Sequence, residues 1–232
     1  MALRLTGRFP NTTVFKQRYV PEAMVGISKN WMMHLSGTMS DYYSHNLQLE
    51  SGKFYGKYRF LSNDDVHQHF RMAAFGEIAF SKAPYLYDDA NLDGDNSGFQ
   101  SGLIATQLIS KLAVSSTVSY ARIFNVKTEK LLNQAPSYNV VNYSFSAGYL
   151  ILPKAYKNYE QTNLNAYIEM LVAKNIDQNK YDIDIAPAVQ CIFNSNSKLN
   201  IGYRFQLAGN MNRMAKSTVQ VAFEHTLFNV WK

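Results

Sequence analysis

The 232-residue chain has one cysteine, Cys191, so no internal disulfide framework can hold it together. Cys191 stands in an alternating apolar stretch, which assigns it a packing role. Charged residues are scarce at 17%, where a soluble domain carries about a quarter. No apolar run approaches the ~20 residues of a membrane helix, which excludes helical spans. A membrane β-barrel stays open, because only half the residues of its strands are apolar. No secretory leader is visible: Met1-Ala2-Leu3-Arg4 runs straight into strand-like sequence, so an exported chain is expected to be a mature form. Lys and Arg number 23 against 17 Asp and Glu, for a net charge of +6. They are scattered singly, so no nucleic-acid partner is expected.

What the chain has is alternation. Leu199, Ile201, Tyr203, Phe205 and Leu207 share one face, and Asn200, Gly202, Arg204, Gln206 and Ala208 share the other. Val141 to Ile151, Tyr181 to Phe193 and Val219 to Leu227 repeat the pattern. Successive strand side chains point to opposite faces, so each segment has an apolar face and a polar or small one. About twelve such segments start near Leu3, Tyr19, Trp31, Leu49, Val66, Phe99, Lys111, Asn139, Thr162, Tyr181, Leu199 and Thr218. Leu103, Ile104, Leu108, Ile109 and Leu112 could equally line a helix face.

The connections alternate in length. Residues 28–30, 62–65, 110–111 and 194–197 are short; residues 10–18, 84–98, 125–138 and 209–217 are long. Residues 153–161 break the rule, being long where a short turn is due. This spacing predicts a single-domain, all-β protein over residues 1–232, a transmembrane antiparallel up-and-down barrel with short turns on the periplasmic side. A soluble sandwich or lipocalin-like barrel would alternate too, but with Lys, Glu and Thr on its polar face. Here that face is rich in Gly, Ala, Ser, Asn and Gln, which suits a tight wet lumen.

Aromatics make up 14% and gather at strand ends. Trp31, Phe60, Tyr149, Phe193, Phe228 and Trp231 fall at one end, and Tyr42, Tyr43, Tyr85, Tyr87 and Tyr138 at the other. Two belts at two lipid–water interfaces are expected. The same parity turns Arg4, Arg8, Glu22, His34, Lys53, Lys57, Arg59, Arg71, Glu77, Glu169, Asp182, Asp184, Arg204 and Glu224 inward. Closure would set Arg4 and Arg8 opposite Glu224. The charged residues among them either fill and rigidify the lumen as ion pairs or impose a transverse field on a solute.

Three motifs suggest chemistry. Asp89, Asn91, Asp93, Asp95 and Ser97 place oxygens at alternate positions around Gly94, as a calcium loop does. The closing position is Gln100 where a bidentate Glu is needed, so a solvated acidic turn is the other reading. His34 and Ser36 share a strand face, which resembles the His-x-Ser pair of calcium-dependent outer-membrane phospholipases. Those enzymes turn the pair toward lipid; the parity here turns it inward, so no catalytic residue is assigned. Met32, Met33, His34, Met39, Met211 and Met214 offer soft-metal donors or apolar filler, and His67-Gln68-His69 a loose metal pair.

Over nearly its full length the chain resembles uncharacterised outer-membrane β-barrel proteins of the Bacteroidota. Residues 60–67, 93–99, 102–107 and 208–214 carry this resemblance. It implies an outer-membrane location and a barrel fold, without a substrate. The expected work is that of a narrow pore or transport-related channel for small solutes or ions, in contact with the bilayer and the barrel-assembly machinery. The alternatives are a plugged binding barrel acting through external loops, and a lipid hydrolase.

Overall fold

The computed structural model describes residues 1–66, 68–124, 138–153 and 160–228. Among them twelve strands and no helix occur. They are β1 (Ala2–Pro10), β2 (Arg18–Gly26), β3 (Trp31–Ser40), β4 (Gln48–Asp64), β5 (Gln68–Ser81), β6 (Gly98–Ile109), β7 (Leu112–Ile123), β8 (Asn139–Leu152), β9 (Asn163–Asn175), β10 (Tyr181–Phe193), β11 (Ser197–Gly209) and β12 (Ser217–Thr226). Every observed start lies within two residues of its expected one. Residues 98–109 form a strand; their apolar side chains pair with β5 and β7, so no helix face is needed.

Each strand pairs antiparallel with its sequence neighbours, and β1 closes on β12 from Ala2↔Thr226 to Pro10↔Thr218. Closure removes every free strand edge. Turns 27–30, 110–111 and 194–196, and the connection from β4 to β5, lie at the end that holds Met1, here the terminal end. Connections 11–17, 41–47, 82–97 and 210–216 lie at the opposite, loop end. The tightest turns use left-handed backbone: Ser110 has φ 52°, and Asn194 and Ser195 have 49° and 56°. Two successive positive φ values match the right-handed twist of a hairpin.

The side-chain pattern is the reverse of a soluble protein's. Leu5, Leu35, Leu49, Phe54, Phe80, Leu103, Tyr149, Ile168, Ile201 and Phe223 are all exposed on the outer wall, Leu35 at 65% and Phe80 at 63%. Arg18, Asp182, Asp184, Asn175 and Glu224 are buried inside. The only cluster of buried apolar side chains among the described residues is small: Leu92 of connection 82–97 packs on Ala79 and Ile123.

Local bulges tune which residues face inward. Thr38 pairs with Ser51 and Met39 with Leu49, so Glu50 is an extra residue on β4. Glu50 and Ser51 are therefore both buried while Leu49 stays outside. A second bulge lies at Phe60, since Arg59 faces Ala73 and Leu61 faces Met72. Phe60 and Leu61 both end up on the outer wall.

Candidate functional site: the lumen and the loop folded into it

The connection of residues 82–97 does not stand clear of the barrel. Its tip turns into the lumen and is held by its own backbone first. Asn96 donates its amide to the Asn91 carbonyl at 2.9 Å, and the Asn91 side chain accepts from the Asp93 amide at 2.8 Å. At the base, Ser97 Oγ accepts from the Ser81 amide at 2.8 Å, and Ser81 Oγ donates to the Gly94 carbonyl at 2.5 Å. Gly94 has φ +131°, and a Cβ there would lie 2.8 Å from Arg18 Cζ and 2.9 Å from Thr38. Only glycine fits that backbone and that approach.

Ion pairs then fasten the loop to the wall. Asp93 accepts from Arg8 Nη2 at 2.5 Å and is also paired with Lys53. Arg18 grips Asp95 through both terminal nitrogens, at 3.0 and 2.5 Å, and reaches Glu50 at 3.1 Å. Glu50 accepts from Ser40 Oγ at 2.5 Å. The Tyr43 hydroxyl donates to Asp95 at 2.7 Å, and Arg18 lies 4.0 Å over the Tyr42 ring. Asp88 takes Lys180 at 2.7 Å and the Asn212 amide at 2.7 Å. The opposite wall is charged as well. Asp184 accepts from Arg204 and, at 2.8 Å, from Arg213; Arg213 lies 3.3 Å from Asp182.

The titrating groups of the loop and of the neighbouring connection 41–47 show the consequence. Burial alone would raise the Asp93 carboxyl, but Lys53 and Arg8 outweigh it and hold it well below the usual range. Burial and the neighbouring Asp95 push Asp89 up to about 6, against the pull of Arg213 and Arg204. Burial pushes the Tyr42 hydroxyl up to about 12, and burial with Asp95 raises Tyr43 further.

With the loop in place, two cavities remain at the loop end, of about 170 and 320 Å³. Asp89, Asn91, Asp93, Arg204 and Arg213 line both. Toward the terminal end three rings meet: Tyr55 lies 4.8 Å from His34, tilted by 43°, and stacks on Phe75 at 5.6 Å. Arg4 bridges Glu22 at 3.2 Å and Glu224 at 2.8 Å, and Lys198 also takes Glu224 at 2.8 Å. His34 Nδ1 lies 2.7 Å from Glu22.

All but one of the expected inward residues fall into three groups. Arg4, Glu22, His34 and Glu224 form one terminal-end network, while Lys53, Glu77, Asp182, Asp184 and Arg204 belong to the loop-end networks. Arg8 does not face Glu224 as expected; its side chain rises to Asp93, because the inserted loop brings a carboxylate closer. Lys57, Arg59 and Arg71 line a cavity at the terminal mouth, where Arg59 bonds the Lys29 carbonyl and Arg71 pairs with an exposed Asp64. Glu169 stands on β9 opposite Ala186 and Ser146.

Tyr42 and Tyr43 do not join an outer aromatic belt: their loop bends over the lumen, where Arg18 and Asp95 offer partners that lipid does not. Outward aromatics at that end include Phe9 with Phe15 and Tyr19, and Phe99 with Tyr120 and Phe124. At the terminal end Trp31, Tyr149, Phe193 and Phe228 are exposed, and Trp31 packs on Tyr58 at 4.9 Å. Trp231 and His67 lie outside the described residues. The side chains of the calcium-like run also have other partners: Asp93 and Asp95 face cations, Asn91 Nδ2 donates to Asp95 at 3.0 Å, and Ser97 bonds Ser81. Among the described residues no group of three or more His, Cys, Asp or Glu is set to hold a metal ion. Ser36, beside His34, is buried in the wall opposite Glu22.

Sequence reasoning missed Arg18, Glu50, Asp88, Lys180 and Arg213. Arg18 reads as the end of a loop and Glu50 as an outward position, since a bulge leaves no mark in simple alternation. Asp88 and Arg213 lie in loops whose path the strand pattern does not constrain.

No protein-family model and no curated protein matches the chain. Solved structures do. The KdgM porin superposes with a TM-score of 0.60 at 9% identity, covering 98% of this chain and 99% of that one. The NanC porin gives 0.60 at 11%, covering 97% and 100%. The beta domain of the Bordetella autotransporter BrkA gives 0.51 at 10%, covering 97% and 98%. The chain is thus a closed twelve-stranded antiparallel barrel with the fold of these porins. The likeness extends over the whole described barrel and to almost the whole of each porin.

Proposed function

We propose that the protein is an outer-membrane channel for small hydrophilic solutes or ions, narrowed by the loop of residues 82–97. One observation carries the reading: an apolar exposed wall encloses a charged lumen in which the loop leaves two cavities rather than a packed core. An exposed band of this kind is stable only against lipid, and polar groups inside a closed barrel need water or ion partners. The KdgM porin has also been solved in complex with a disordered oligogalacturonate, a hydrophilic solute, which supports passage of that general class. The bilayer is the partner of the outer wall. Contact with the barrel-assembly machinery and a Bacteroidota origin rest on the sequence resemblance alone.

Liposome swelling tests the reading. Proteoliposomes should swell in small sugars and swell more slowly as solute size rises. Insertion without swelling, or any size-independent leak, would contradict it. The ion pairs that pin the loop favour a second reading, a plugged barrel that binds through its external loops. Inserted barrels that neither swell nor conduct would favour that reading.

A further inference from the structure

We propose that Asp89 sets the charge preference of the pore and makes it favour cations. The inference rests on the channel reading and adds which ions pass. The two loop-end cavities share Asp89, Asn91, Asp93, Arg204 and Arg213 in their linings, so a solute moving between them passes these groups. The other carboxylates that line these two cavities are already paired with cations. Asp88 pairs with Lys180, Asp93 with Arg8 and Lys53, Asp95 and Glu50 with Arg18, and Glu77 with Lys53. Asp182 and Asp184 take Arg213, and Asp184 takes Arg204 too. Among the described residues no cation lies within ion-pair distance of Asp89.

The balance of charge then has a definite sign. Arg204 and Arg213 are matched by Asp182 and Asp184, and Lys180 by Asp88. Arg8 and Lys53 are matched by Asp93 and Glu77, while Arg18 faces two carboxylates, Asp95 and Glu50. Among these eight carboxylates and six cations what is left over is negative, and Asp89 is the part of it that faces both cavities with no cation at ion-pair distance. A charge at a narrow, poorly screened point acts on a passing ion far more strongly than the same charge on an open surface. The chain's net charge of +6 would suggest the opposite preference, so the two accounts predict different signs.

The experiment is the reversal potential of the full chain in planar bilayers under a tenfold KCl gradient at pH 7.5. The parent protein should show a cation-selective potential. Asp89→Asn should lose most of it, Asp89→Glu should keep it, and Asp65→Asn, in a terminal-end turn, should leave it unchanged. If Asp89→Asn does not insert, Asp89→Cys in a Cys191→Ser background supplies the test. A cationic thiol reagent should then drive the potential toward anions and an anionic one should restore cation preference. An anion-selective parent, or conducting Asp89→Asn channels with the parent's potential, would overturn the proposal. Inserted barrels with no current would remove the channel reading itself, and this proposal with it.

Discussion

Arg18 on β2 and Asp95 in the inserted loop are 77 residues apart in sequence and joined by two hydrogen bonds, at 3.0 and 2.5 Å. The Arg18 side chain is 1% exposed and also reaches Glu50. Bidentate pairing of a planar guanidinium with a carboxylate fixes direction as well as distance. Removing one partner of a buried pair leaves an uncompensated charge and costs about 3–5 kcal/mol. Arg18→Ala should therefore free the loop from the lumen. Its single-channel conductance should rise severalfold above the parent's, and an unchanged conductance would show that the pair does not hold the constriction.

Gly94 tests the same arrangement without touching a charge. Gly94→Val adds atoms where Arg18 and Thr38 leave no room and imposes a positive φ that a β-branched residue rarely adopts. The loop should be displaced while the barrel still closes. Protease nicking within residues 82–97 should become fast in the variant and stay slow in the parent.

Asp89 gives the expected pH response. Its carboxyl is raised to about 6, chiefly by burial and then by Asp95, with Arg213 and Arg204 opposing. Asp93 and Tyr87 also line its cavity, as does Tyr43. A raised acid pKa means the neutral form is favoured in the folded loop, so its contribution to loop stability is present at low pH and lost as pH rises through about 6. Above that pH the pore gains a negative charge. Cation preference should climb between pH 5 and 7 in the parent, as read from reversal potentials, and stay flat in Asp89→Asn.

The strand plan was legible because lipid on one side and water on the other force strict alternation, and because long and short connections alternate along the chain. Residues such as Arg4, Glu22 and Glu224 followed from parity alone, since they sit on regular ladder positions. The loop-end site was not legible in the same way. Glu50 is turned inward by a bulge, Arg18 is the first residue of its strand, and Arg213 lies in a connection. Tyr42 and Tyr43 have a composition that suits a lipid interface, and only the three-dimensional position of Arg18 and Asp95 explains their inward turn. The acidic run 89–95 was visible, but its partners come from β1, β2 and β4.

The seam between β1 and β12 should set heat resistance. Arg4 ties Glu22 and Glu224 across three adjacent strands. Arg4→Ala leaves both carboxylates in the lumen without that cation, at a cost of about 1–3 kcal/mol. Unboiled variant protein in detergent should lose its folded gel mobility at a temperature several degrees below the parent's. Equal temperatures would show that the seam is held by its backbone ladder alone.

Current through single inserted barrels tests the central claim most directly. Purified protein folded in detergent and added to a planar bilayer should give discrete conductance steps, small in the parent and larger in Arg18→Ala. Barrels that retain the heat-modifiable mobility of a closed fold, insert, and pass no current in either form would contradict a channel narrowed by its own loop.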